Sequence, residues 1–280
     1  SINYINYNGS KYSYQNLDPY NLNNNQSYKK KIKEYIYINY KKITNKFVNN
    51  NDAFLINTYL SPKQIFKLEL KLGQFPQLWK KLNINIDAKP NQILRKKLTE
   101  KLIKKSNDDL ENISRNLLFE LLPVYYLEGF KELTRIVNQQ PWPKSPKFIF
   151  TSNSFGTDET FKLYTATKTE EGSKYYVGQH GNNYFTIRYV FPRIEEQTSD
   201  KFFTWGWNNK TSKYIPMFIF NTAGVKNKYD KKGGLLLIER PQTSRRFPWD
   251  VHADFNDYFK EQTTFVSKLD SEPMQKLIIR

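Results

Sequence analysis

The sequence has no cysteine. Disulfide frameworks, thiolate nucleophiles and cysteine-based zinc sites are therefore excluded. Histidine is almost as scarce. Only His180 and His252 occur, which rules out a histidine-rich metal centre and draws attention to any histidine inside a motif. Long apolar runs are missing as well. The longest, such as Leu235-Leu236-Leu237-Ile238, fall far short of the roughly 20 residues that cross a bilayer as a helix. The opening Ser1-Ile2-Asn3-Tyr4 lacks the basic region and apolar stretch of a secretory signal. With no initiator methionine, and an end at Leu277-Ile278-Ile279-Arg280 that resembles an unfinished strand, the sequence reads as a fragment of a longer protein.

What is present describes a globular chain. Hydrophobic residues make up 38% and aromatics 16% of 280 residues, enough for one large domain or two ordinary ones. Lysine and arginine number 44 against 27 acidic residues, a formal net charge of +17 that invites a nucleic-acid reading. The composition argues against it. Asn, Lys, Ile and Tyr, the residues that AT-rich coding favours, dominate, and Lys29-Lys30-Lys31, Lys80-Lys81 and Lys104-Lys105 are scattered over helical-looking polar faces. The charge reads as compositional drift plus attraction to anionic ligands or membrane surfaces, with no specific nucleic acid expected.

The pattern of elements changes along the chain. Residues 1–25 read as loop with short strands, and Lys29 to Phe47 as a helix. Ala53-Phe54-Leu55-Ile56 suits a buried strand. Ser61-Pro62 then supplies an N-cap and a first-turn proline for a helix through Ile65, Leu68 and Leu72 that stops at Gly73. From Pro90 to Asn138 helical spacing dominates: Ile93, Leu94, Leu98 and Leu102, then Ile113, Leu117, Leu118, Leu121 and Leu122 up to Pro123, then Tyr126, Phe130, Leu133 and Val137. Three prolines between Pro141 and Pro146 force an extended crossing, which places a domain boundary there and divides the chain into 1–140 and 141–280. Beyond it, strands at Phe148–Phe150, Tyr175–Val177 and Leu235–Ile238 alternate with helices at Asp158–Lys168 and about Phe255–Leu269, the pattern of a parallel sheet. Ligands of such sheets bind beyond the carboxyl ends of the strands.

Four segments follow strands and are candidates to carry chemistry. In Thr151–Glu159, Asn153 and Ser154 precede the apolar Phe155. Thr157 there reads as an N-cap, with Asp158 and Glu159 complementing the helix dipole. In Gly178–Tyr184, glycines flank Gln179-His180, so the backbone of Gly178 and Gly181 can approach a ligand. The imidazole of His180 can there bond a phosphate, act as a base or stabilise a leaving group. Phe202–Trp207 sets two tryptophans around a glycine, equally suited to packing. Glu239-Arg240-Pro241 with Arg245-Arg246 offers phosphate contacts. His252 sits in a polar stretch and reads as structural.

These segments carry a resemblance. TSNSFGTDETFK (151–162), GQHGNNY (178–184), FFTWGW (202–207), a glycine-preceded strand and DYFKEQTTFVSKL (257–269) resemble the C-terminal half of transferases encoded in O-antigen and surface-carbohydrate clusters. YLSPKQIFKLELKLGQFPQLW (59–79) and LPVYYLEGFKEL (122–133) resemble the part upstream. The Gln-His-Gly element is also similar to the histidine motifs of transferases using cytidine-nucleotide donors, including retaining Kdo transferases. The chain departs from the family at Asn182, Asn183 and Phe185, where glycine is usual, which bears on the donor.

The resemblance implies an α/β, GT-B-like fold of two Rossmann-like domains, the second carrying the nucleotide-sugar site and lacking its last segments. It implies a cytoplasmic glycosyltransferase, peripheral at the inner face of the inner membrane. Such an enzyme moves a sugar, CMP-linked where the likeness to cytidine-nucleotide transferases carries over, to a glycan or lipid-linked glycan acceptor. No cofactor or metal is expected, since no convincing Asp-x-Asp motif lies near a strand end. The implied catalytic residues are His180 with Asp158 or Glu159, the carboxylate serving as base or nucleophile. Asn153, Ser154, Gln179, Gly181, Tyr184, Arg240 and Arg245 are implied to bind substrate. Two other readings stay open: a basic, tyrosine-rich nucleic-acid binder, and a non-catalytic sugar-binding subunit of a polysaccharide assembly complex.

Overall fold

The computed structural model describes residues 4–5, 11–12, 28–102, 108–181, 184, 193–226, 230, 233–238 and 255–279. The chain divides into two compact units, 1–223 and 224–280.

The first unit opens with a short antiparallel pair, β1 (Tyr4–Ile5) and β2 (Lys11–Tyr12). Helix α1 spans Tyr28–Thr44, and Asn45–Phe47 tightens into a 3₁₀ turn. The strand-turn-helix unit expected from Ala53 to Gly73 forms as β3 (Phe54–Leu55) and α2 (Pro62–Lys71). Its start is dictated locally. Gln64 N–H donates to Ser61 Oγ at 3.3 Å while Ser61 N–H donates to Gln64 Oε1 at 2.9 Å, a reciprocal capping box. Its stop is Gly73 at φ +73°, left-handed geometry that costs glycine nothing. Helices α3 (Gln92–Leu102), α4 (Asp109–Leu121) and α5 (Phe130–Asn138) follow. The buried Arg95 of α3 holds the end of α4 and the turn before α5. Its guanidinium pairs with Glu128 at 2.7 Å and donates to the carbonyls of Phe119 (2.6 Å) and Leu122 (2.8 Å), satisfying the open end of α4.

Strands β4 (Phe148–Thr151), β5 (Lys174–Gly178), β6 (Lys201–Thr204) and β7 (Tyr214–Pro216) join β3 in a five-stranded sheet ordered β3-β4-β5-β6-β7. Every neighbouring pair is parallel. Between them lie α6 (Ser154–Thr157), α7 (Glu159–Glu170) and α8 (Ile194–Thr198). The fold is mixed α/β, with a helix-flanked parallel sheet consistent with a Rossmann-like architecture. In the second unit, β8 (Leu235–Leu237) pairs in parallel with β9 (Leu277–Ile279), and the chain between them forms α9 (Phe255–Ser267) and α10 (Ser271–Gln275). The strand expected at Leu235 forms, but its partner is β9 and not the five-stranded sheet. No helix among the described residues is long and apolar enough to cross a membrane.

The continuous apolar runs of these strands follow from burial on both faces. Alternate residues feed two cores. Phe54, Ile149, Tyr175, Val177 and Phe202 pack on one face with Val137 of α5 and Phe161 and Tyr164 of α7. Leu55, Phe150, Tyr176 and Phe203 pack on the other with Leu68 and Leu72 of α2 and with Phe220. The Pro141–Pro146 run, where the sequence suggests a boundary, links α5 to β4 inside the first unit. Trp142 is buried against Phe54 and Tyr164, with ring centroids 5.0 and 5.1 Å apart, and Tyr164 OH donates to Pro143 O at 2.7 Å.

The outer edge of β3 is closed by side chains. The carboxamide of Gln74 accepts from Ala53 N (2.8 Å) and donates to Ala53 O (3.0 Å). Behind it, Glu69 is fully buried. Burial pushes its carboxyl from an ordinary 4.5 up to about 8, and nearby Asp52 adds to this, against the hydrogen bonds from Gln77 N and Gln74. A raised carboxyl pKa means the folded state holds a proton that the unfolded chain releases above its own pKa. The contribution is therefore complete below about pH 4.5 and is lost as pH rises to about 8. Stability should fall by roughly 2–4 kcal/mol across that window from this group. Denaturant titrations at pH 5, 6.5 and 8 should show the decline in the wild type and its flattening in Glu69→Gln. Equal slopes in the two proteins would remove Glu69 as the cause.

Candidate active site

Because all five strands run the same way, the segments after β3, β4, β5 and β6 gather at one sheet edge. The order is consecutive, so no reversal within the described sheet opens a crevice by topology alone. The segments themselves must build the site. Ser152 stitches two of them: its N–H donates to Asn57 O (3.0 Å) and its hydroxyl to Thr58 O (3.1 Å). Asn153 Nδ2 donates to Tyr59 OH at 2.9 Å. Asn57 and Tyr59 both take left-handed backbone, φ +48° and +63°. For tyrosine that is costly, and such strain collects at functional edges. Thr151 Oγ1 accepts from the N–H groups of Asn153 (3.3 Å) and Ser154 (3.0 Å), turning the chain into α6.

Gln179 locks β5 to the tryptophan segment after β6. Its Oε1 accepts from Trp205 N (2.9 Å) and Trp207 Nε1 (2.7 Å), and its Nε2 donates to Gly181 O (2.6 Å). Trp205 Nε1 donates in turn to the Gln179 carbonyl at 3.1 Å. The carboxamide is buried in these contacts, so it shapes the segment that carries His180. The two glycines differ. A Cβ on Gly178 would lie 2.5 Å from Phe220 and 2.7 Å from Ser152 Oγ, so protein fills that space. A Cβ on Gly181 would meet nothing within 4 Å among the described residues. Of the two, it is Gly181 that has room beside its backbone among the described residues.

His180 is half-buried, its ring edge-on to Phe155 with centroids 5.6 Å apart. That contact brings the Asn153–Phe155 segment and the Gly178–Gly181 segment together, as their positions after neighbouring strands predict. His180 Nδ1 lies 2.8 Å from Tyr184 OH, and Tyr184 OH donates to Glu195 Oε1 at 2.8 Å. Tyr184 and Glu195 are both buried, and the Arg193 guanidinium stacks over the Tyr184 ring at 4.7 Å. Burial foremost, and Arg193 secondarily, lower the His180 pKa from its ordinary value, while Glu195 opposes them. The imidazole is thus held neutral near pH 7. Tyr184 is pushed well above the tyrosine range, by burial first and then by Glu195.

The two candidate carboxylates lie at the start of α7. Thr157 does not cap that helix, because it closes the separate turn of α6. Asp158 caps it one residue later, its Oδ1 accepting from Phe161 N (3.0 Å) and Thr160 Oγ1 (2.7 Å). Its Oδ2 is buried without a hydrogen-bond partner among the described residues. Glu159 pairs with Lys162 at 2.7 Å and accepts from Tyr126 OH. Asp158, Glu159 and Thr160 line a cleft of about 390 Å³, with Lys81, Asn83 and Tyr125 on its other walls. Lys81 Nζ donates to Thr157 O at 2.5 Å. His180 and Asn153 do not line this cleft. The single turn of α6 joins the two regions, since Phe155 meets His180 and Thr157 lines the cleft.

A family model described as LIC12162 family transferase matches residues 3–280. The chain belongs to that family. No curated protein and no solved structure gives a significant match. The geometry of this LIC12162-family transferase therefore has to be read from its own residues. Of its expected site residues, Asn153, Ser154, Gln179, His180, Gly181 and Tyr184 meet at one sheet edge, Asp158 and Glu159 lie one helical turn away, and Arg240 and Arg245 lie outside the described residues. Sequence reasoning missed Tyr59, Arg193 and Glu195. Nothing local marks Tyr59, whose role depends on a backbone conformation. Glu195-Glu196 after Arg193 carries a faint signal, being two acidic residues at the start of a helix.

Proposed function

We propose that this transferase moves a sugar from a nucleotide-activated donor to a hydroxyl of a surface glycan or lipid-linked glycan. The observation that carries the reading is the meeting of Phe155 and His180. It joins two segments that resemble those of O-antigen-cluster transferases at the carboxyl edge of a parallel sheet. Such an edge suits a nucleotide, and the open backbone at Gly181 suits the donor phosphate. Asp158, Glu159 and Thr160 in the adjoining cleft offer hydrogen-bond acceptors to the hydroxyls of a sugar. Asn153 and Ser154 stand at the turn between the two, placed to orient it. Arg240 and Arg245 are assigned to phosphate from the sequence alone. A second domain completing a GT-B arrangement, and docking of the basic chain on an anionic membrane surface, belong to the same proposal.

The test is a thermal-shift screen of nucleotide-sugars, followed by acceptor-dependent release of nucleotide with the donor that binds. A matched donor at a hundredfold excess over its Kd adds about 2.7 kcal/mol to stability, and CMP-linked sugars should lead the ranking. Stabilisation by single-stranded nucleic acid at low salt, with no response to any nucleotide-sugar, would reverse the assignment. Donor binding without turnover in the presence of glycan acceptors would leave a sugar-binding subunit instead.

A further inference from the structure

We infer that Glu195, acting through Tyr184, fixes His180 as its Nδ1–H tautomer and so makes Nε2 the proton acceptor of the transfer reaction. The argument is a count of protons. A phenol has one, and in Tyr184 it is directed to Glu195 Oε1 at 2.8 Å. A carboxylate can only accept, so the direction of this bond is set by chemistry. Tyr184 Oη then has only lone pairs to offer at its 2.8 Å contact with His180 Nδ1. That contact is a hydrogen bond only if Nδ1 carries the hydrogen. A neutral imidazole has one N–H, so the lone pair is left on Nε2, the ring nitrogen farther from the backbone.

The arrangement is built to last. Tyr184 and Glu195 are 5% and 4% exposed, so water does not compete for either bond. The Tyr184 ring packs between Phe202, with centroids 5.1 Å apart, and the Arg193 guanidinium. Glu196, next along α8, accepts from Tyr214 OH at 3.0 Å and from Arg193 N at 3.0 Å, which anchors the helix that presents Glu195. An Nε2 lone pair faces away from a role as phosphate donor, because it would repel a phosphate oxygen. It suits removal of a proton. As the acceptor oxygen bonds to the anomeric carbon, its hydrogen passes to Nε2. The bond from that carbon to the nucleotide phosphate breaks, its electron pair leaving with the phosphate. The imidazolium that results is offset by Glu195 through Tyr184 and returns its proton to water. Tyr184 and Glu195 are positioning residues in this scheme, touching no substrate.

The tautomer stands independently of the reaction, whereas the role of Nε2 rests on the sugar-transfer reading. The experiment separates them. The chain has only two histidines, so long-range proton–nitrogen correlation spectra of the full chain labelled with ¹⁵N-histidine are assignable with His252→Gln. At pH 7.5 the wild type should show Nδ1 protonated and Nε2 bare. Tyr184→Phe, which keeps the buried ring, should relax His180 toward the mixed tautomers of free histidine, with Glu195→Gln as a second variant should Tyr184→Phe fail to fold. A wild-type spectrum with Nε2–H, or a variant spectrum unchanged from wild type, overturns the relay whatever the donor screen returns. With a matched donor, Tyr184→Phe should lower kcat by roughly 10²-fold at nearly constant KM. An altered tautomer with undiminished kcat overturns the base role and leaves the tautomer assignment in place.

Discussion

Replacing His180 with alanine is expected to lower kcat for sugar transfer by about 10²- to 10⁴-fold, the range over which one positioned base accelerates a reaction. The fold should survive. His180 is half-buried just after β5, and among the described residues its side chain hydrogen-bonds Tyr184, which keeps its bond to Glu195 in the variant. The lock that holds the segment, Gln179 with Trp205 and Trp207, does not involve the imidazole. A loss of about 1 kcal/mol, typical of one hydrogen bond, is the stability effect to expect. The measurement pairs turnover of the matched donor with a melting curve for each protein. Near-normal turnover from a folded His180→Ala would falsify the proposed base and move the role to Glu159 or Asp158.

Phe54→Ala is expected to cost about 3–5 kcal/mol, the range for removing a buried aromatic from a packed core. Phe54 is fully buried, and its ring lies 4.8 to 5.7 Å from those of Trp79, Trp142 and Tyr164. Those partners come from both sides of the Pro141–Pro146 run, so the cavity would loosen β3, the proline run and α7 together. Against a typical domain stability of about 5–15 kcal/mol the loss is large. Denaturant unfolding followed by tryptophan fluorescence and by far-ultraviolet circular dichroism should shift to lower midpoint in one step by both probes. Two separated transitions, with the variant moving only one, would show that residues before and after the prolines unfold as separate bodies.

These two residues also show what is written locally and what is not. The N-cap at Ser61 with Pro62 behind it, the stop at Gly73 and the break at Pro123 involve neighbours in sequence, and each was legible there, although the reciprocal bond from Gln64 was not read. The apolar runs at Phe54, Phe148 and Tyr175 identify buried strands, because a strand covered on both faces has no polar alternation, whereas the strand at Lys201–Thr204 was not read as one. The place of the site after the strands follows from the same reading. Glycine in the Gln-His segment was only half legible. Gly178 and Gly181 look alike in sequence, yet the space beside one is filled by Phe220 and Ser152, and beside the other no described residue lies within 4 Å.

By itself, then, the sequence determined the longer elements such as α2, β4 and β5, their apolar faces and the placing of the Asn153 and His180 segments after strands, since these depend on residue type and spacing over a few positions. Only the tertiary structure decided which strands share a sheet. Leu235–Leu237 is as apolar as the others, but its hydrogen bonds go to Leu277–Ile279, and residue type does not name a backbone partner. Nor does a helical apolar stripe say what covers it: Ile113, Leu117, Leu118 and Leu121 keep their spacing and stay exposed. The polar partners of the site were hidden for the same reason. Glu195 reaches His180 through Tyr184 because a parallel sheet and a short helix bring them within hydrogen-bond distance, and charge or periodicity along the chain carries no record of that meeting.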